Sequence, residues 1–134
     1  MLRDERQLAL NAAIEACLHA AHVHEDSAEL IGDNASHLRE LAATRRRNAE
    51  TIGEHVRRLG DLPTEPDPEY ELATDVISHI KGALAENDHR EALERSKAAE
   101  EALATALEEA LRQDLPADCR RDIEQILAAQ RPLV

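Results

Sequence analysis

The stretch LNAAIEACLHAAHVHEDSAELI, residues 10–31, decides the fold. Leu10, Ile14, Cys17, Ala21, His24, Ala28 and Ile31 recur at alternating steps of four and three. That is the a/d spacing of a helix with one buried seam, and it predicts a single long helix from about Arg3 to Ile31. Gly32-Asp33-Asn34 then supplies turn residues that end it.

Reading onward, Ser36 is an expected N-cap, with Glu40 close behind. A second helix should run to Leu59 and stop at Gly60, which suits the C′ position. Its seam reads Leu38, Leu41, Arg45, Asn48 or Ala49, Ile52, Val56 and Leu59. The next eight residues, DLPTEPDP at 61–68, hold three prolines and form a stiff linker. With its flanks it can reach roughly 25–30 Å at ~3.3 Å per residue, close to the length of a helix. The linker is therefore expected to cross the bundle from end to end rather than make a short turn.

A third helix is expected over about Glu69–Ala85, with Ala73, Val76, Ile77, Ile80 and Leu84 inward. After an Asn87-Asp88 turn, a fourth should run to about Gln113 with Leu93, Ser96, Glu100, Leu103, Leu107 and Ala110 on its seam. Asp114-Leu115-Pro116 ends that helix, and a short fifth over about Ala117–Ala129 carries Ile123, Ile126 and Leu127 on one face. The expectation is one all-α domain over residues 1–134: an antiparallel four-helix bundle with a long connection between helices 2 and 3 and a short C-terminal fifth helix.

Composition narrows the function. The chain has no Phe or Trp, and Tyr70 is its one aromatic residue, so aliphatic side chains and Ala must fill the core. A formal net charge of −12 sets the protein against nucleic-acid phosphates and anionic membranes. Cations, basic proteins or further copies of the chain suit it better. The Ala-rich helices offer wide faces, and a homodimer or other protein complex is the expected partner state. The N-terminal MLRDERQLAL has no apolar h-region, and no apolar run approaches the ~20 residues of a membrane span. A cytoplasmic chain with two reduced thiols, Cys17 and Cys119, is expected.

Three groups of residues could carry chemistry. The first is the set of polar residues on apolar seams: His24, Arg45, Asn48 and Glu100. They read either as a buried ion pair with its supports or as a site in the bundle core. An Arg among them argues against a cation there. The second is His19, His22 and His24 with Glu15 nearby, where Glu15 and His19 are four apart and His19 and His22 three apart. Such pairs share a helix face and could ligate a divalent ion such as zinc, iron or manganese, or could simply be a solvated face. The third is Asp75 and His79, four apart. Phosphate-binding Gly-rich loops, CxxC and HExxH are absent, which points away from an enzyme.

Several stretches resemble a family of small bacterial ferritin-like four-helix-bundle proteins classed as a domain of unknown function. They are Leu10-Asn11, Ile14-Glu15 and Cys17 in the first helix, and Arg45 with Val56-Arg57-Arg58-Leu59-Gly60 in the second. The longest are Glu100-Glu101-Ala102 and Leu107-Glu108-Glu109-Ala110-Leu111, followed by Asp114-Leu115-Pro116. The resemblance spans Leu8 to Arg131 and implies the ferritin-like bundle with its long crossover after helix 2. Ala21 and His24 stand where the family carries Glu and Tyr, and Thr51 stands where it often carries Glu. Glu100 is the position where the resemblance implies a metal ligand. The function expected is that of a non-enzymatic bundle acting through protein contacts or self-association; metal binding in the bundle core is the alternative.

Overall fold

The computed structural model describes residues 4–32, 35–65 and 88–133. Among these the protein is all-helical, with four helices and no strand: α1 (Glu5–Ile31), α2 (Ser36–Arg58), α3 (Asp88–Leu111) and α4 (Ala117–Ala128). The expected helix over 69–85, the Asp75–His79 pair and the linker beyond Glu65 lie outside the described residues.

Each helix boundary has a local cause. Asp4 caps α1 through a capping box: its carboxylate accepts the Gln7 backbone N–H at 2.8 Å, and the Gln7 side chain accepts the Asp4 N–H at 2.9 Å. At the other end Gly32 takes φ +87° while its N–H bonds back to the Ala28 carbonyl, a conformation that glycine adopts without a Cβ clash. Ser36 does not cap α2. Ala35 holds the N-cap position without a side-chain bond, and Ser36 is the first helical residue. The end of α2 follows the sequence closely. Gly60 has φ +85°, its N–H bonds to the Arg57 carbonyl, and the Asp61 N–H bonds to that of Val56, which together make a Schellman motif.

Side-chain contacts give the helix directions. Gln7 donates to the Leu59 carbonyl and Arg46 pairs with Glu25, so α2 runs antiparallel to α1. Ser27 donates to the Ala92 carbonyl and His24 meets Glu100, so α3 is antiparallel to α1 as well. Asp122 and Asp118 of α4 meet His55 and Arg58, so α4 is antiparallel to α2. It follows that α2 and α3 run the same way.

The core divides along its length. Leu10, Ile14 and Cys17 pack with Ile52, Val56, Leu103, Leu107, Cys119 and Ile123, all at most 1% exposed. Burying each of the larger aliphatic side chains contributes about 1.5–3 kcal/mol. Ala28, Ala35 and Leu38 form a smaller cluster at the other end, with Ile31 and Leu133 against it. The seam residues of α1 are buried as the spacing predicts, apart from the half-buried Ile31 at the last turn. In α2 Leu41 is half-buried and Ala42 takes the inner position, because a straight helix drifts relative to a 3.5-residue repeat.

Candidate functional site

Between the two apolar clusters lies a polar layer built by three helices. α2 supplies Arg45 and Asn48, α3 supplies Glu100, and α1 supplies His24. Each of the four sits on a seam, so the helix periodicity that buries the leucines also carries His24, Arg45 and Glu100 inside. Arg45 is 2% exposed, Glu100 8% and His24 0%.

The geometry is a fork on a carboxylate. Arg45 Nε donates to Glu100 Oε2 at 2.9 Å and Nη2 donates to Oε1 at 2.5 Å. Its remaining arm, Nη1, donates to Asn48 Oδ1 at 2.8 Å, one turn away on α2. Only a planar guanidinium can serve all three acceptors at once. His24 Nε2 lies 2.9 Å from Glu100 Oε2. From the tail after α4, Gln130 Nε2 donates to the Glu100 backbone carbonyl at 3.0 Å and reaches Oε1 at 3.4 Å.

Electrostatics agree with that geometry. Burial pushes the Glu100 carboxyl up, but hydrogen bonds from His24 and Arg45, with their positive charge, outweigh burial and hold it at about 2. Glu100 is thus an ionised acceptor, so His24 Nε2 carries the proton and donates. His24 Nδ1 is buried and has no hydrogen-bond partner among the described residues. Nearby Cys17 is pushed up to about 12 by burial, with Arg45 opposing and Glu100 adding to the rise. It is a protonated, packed thiol. Cys119 is raised to about 11, again by burial first and then by Asp118 and Asp122.

The other candidates separate. His22 is buried and pairs with Asp26 on its own helix at 3.3 Å, not with Glu100. Glu15 and His19 are exposed. The His19 pKa is lowered by partial desolvation and then by the charges of His22 and His24. Of the five residues expected as metal candidates, His24 and Glu100 meet, at 2.9 Å. No group of three or more His, Cys, Asp or Glu side chains among the described residues is arranged to hold a metal ion. A Glu-x-x-His occurs in the chain at Glu86–His89. Its His89 is exposed at the start of α3, and Glu86 lies outside the described residues.

Sequence reading also missed three further buried polar contacts. Asn11 accepts the Thr64 N–H at 2.8 Å and hydroxyl at 3.0 Å, which ties the start of the linker back onto α1. His55 Nε2 meets Asp122 at 2.7 Å. Ser96 donates to Ser27 at 3.0 Å, and Ser27 donates on to the Ala92 carbonyl. An open groove of about 710 Å3 lies elsewhere, between Ile14 and Leu18 of α1, Arg46 and Arg57 of α2, and Pro63. None of the network residues lines it.

A scan against protein-family models finds no match to the chain, and searches of curated proteins and of solved structures find none either. Among the described residues no helix is long and apolar enough to cross a membrane.

Proposed function

We propose that this protein is a non-enzymatic helical bundle that works through contacts with another protein, and that its buried polar layer is a brace rather than a reaction site. The observation that carries this reading is the saturation of Glu100. Both carboxylate oxygens accept from Arg45, one also accepts from His24, and Gln130 stands against the other. A general acid or base needs an oxygen or nitrogen that can face a substrate. A metal ligand needs a lone pair that no guanidinium occupies.

The surface is left to do the work. Leu18, Val23 and Leu30 are half-buried, and the exposed large apolar side chains among the described residues are Leu8 and Leu62. The Ala-rich faces expected to meet a second copy are largely used within the chain, with Ala13, Ala20, Ala21, Ala42, Ala49 and Ala99 buried. A strongly acidic surface favours a partner with a basic face. Self-association is the other form of the same reading.

A ferritin-like bundle remains the fold reading that the sequence resemblance suggests. The helix directions are compatible with it, since bundles of that class carry one long connection between the second and third helices.

Metal binding is the second reading, favoured by one observation, the His24–Glu100 pair at 2.9 Å. Anaerobic titration of the untagged protein with Fe2+, Zn2+ and Mn2+ separates the two. The brace reading expects weak uptake that His24→Ala and Glu100→Ala leave unchanged. Tight stoichiometric uptake lost in both variants would replace it with a metal site. Sedimentation of the same samples reports whether the chain associates with itself.

A further inference from the structure

We propose that α4 and the tail after it form a clasp that opens as one unit, ahead of the three longer helices, and that its opening uncovers the Glu100 end of the polar network.

Four observations carry the proposal. First, α4 has 12 residues, below the length at which a helix holds itself in water, and it starts at Pro116 without a side-chain cap. Second, it buries only Cys119, Ile123 and Ile126, whereas α1 buries residues along its whole length from Leu10 to Ala28. Third, of its two charged fastenings to α2 one lies at the surface and the other is open to water on the α4 side. Arg58 and Asp118 meet at 3.1 Å with side chains 63% and 50% exposed, and Asp122 beneath His55 is 32% exposed. Pairs that open to water contribute little. Fourth, the tail reaches beyond α4 by two contacts, Gln130 on Glu100 and Leu133 on the Ala28–Leu38 cluster, so its release would follow that of the helix.

The bonds that define the network do not depend on the clasp. Arg45 to Glu100, Arg45 to Asn48 and His24 to Glu100 all join α1, α2 and α3. Opening the clasp removes only Gln130 from that set. The network would stay paired and become reachable from one side, which makes the clasp a lid over it.

Amide hydrogen exchange on the intact chain tests this directly, with Ile123 and Ile126 as reporters for α4 and Ile14, Ile52 and Leu103 for the long helices. The expected result is protection in α4 at least about tenfold lower, with a weaker response to urea, as for a unit that opens below the global free energy. Leu127→Ala, which trims the packing of α4 on the core, and Gln130→Ala should each speed exchange in α4 and leave the other reporters unchanged. Equal protection and equal urea response in all four helices would overturn the proposal, because α4 would then open only when the whole chain unfolds. So would a pair of variants that sped exchange in α1 and α3 as much as in α4.

Discussion

The two halves of this bundle hold together by different means. Around Leu10, Ile14, Ile52, Leu103, Leu107 and Ile123 the core is aliphatic, and every member can lose some contact while its neighbours keep theirs. Around His24, Arg45 and Glu100 the core is one charged group met by two donors, and each member depends on the others. Apolar packing is tolerant and non-directional. A buried ion pair adds little net stability but is costly to break from one side. The polar layer therefore specifies which helices face one another at that level, and the apolar half supplies most of the free energy.

That contrast can be broken by matched truncations. Glu100→Ala should lose about 3–5 kcal/mol, since Arg45 would be left buried and uncompensated. Leu107→Ala in the apolar half should lose about 3 kcal/mol through lost transfer energy and a cavity. The informative difference lies in repair. Replacing Leu107 by Met should restore most of the loss, to within about 1.5 kcal/mol of the parent. Replacing Glu100 by Gln should not, because a neutral amide cannot take the Arg45 fork as a charged acceptor. Urea denaturation of the four variants checks this.

Acid sharpens the same comparison with a smaller effect. The folded Glu100 carboxyl sits near 2, against an ordinary value of 4.5. A depressed folded pKa contributes stability that is present above the unfolded value and is lost as pH falls through the folded one. The protein should therefore lose stability progressively between about pH 4.5 and 2. In Glu100→Leu that limb should be shallower, while Leu107→Ala should keep the parent's slope. Thermal melts across this range would read the difference.

Much of this was legible in the sequence, and the failures have physical causes. The α1 seam was readable because a four-and-three spacing over seven positions leaves a helix no other face to bury. Arg45 and Glu100 stood out for the same reason, as charges on seams that otherwise hold apolar residues. Their pairing needed only that the helices pack. Gln130 was not legible, because it follows the last helix, where no periodicity says which way a side chain points. Nor was Asn11, which flanks the seam at Leu10 and acquires its role only from Thr64, more than fifty residues away. Whether Glu15, His19 and His22 form one ligand face or a solvated one could not be read, because the rotation of the helix decides it. One-turn spacing aligns such residues on a helix but does not tell which neighbour the face meets, and here His22 turns inward while Glu15 and His19 face water.

The most direct test of the central claim is a double-mutant cycle on Arg45 and Glu100, using Arg45→Met, Glu100→Leu and the two together, read by urea unfolding. If the polar layer is a closed brace, each single change costs about 3–5 kcal/mol and the double variant loses far less than their sum, about 1–3 kcal/mol, because apolar isosteres remove both charges at once and leave only His24 without its acceptor. Additive losses in the double variant would contradict the account, since the two residues would then be serving separate partners and not each other.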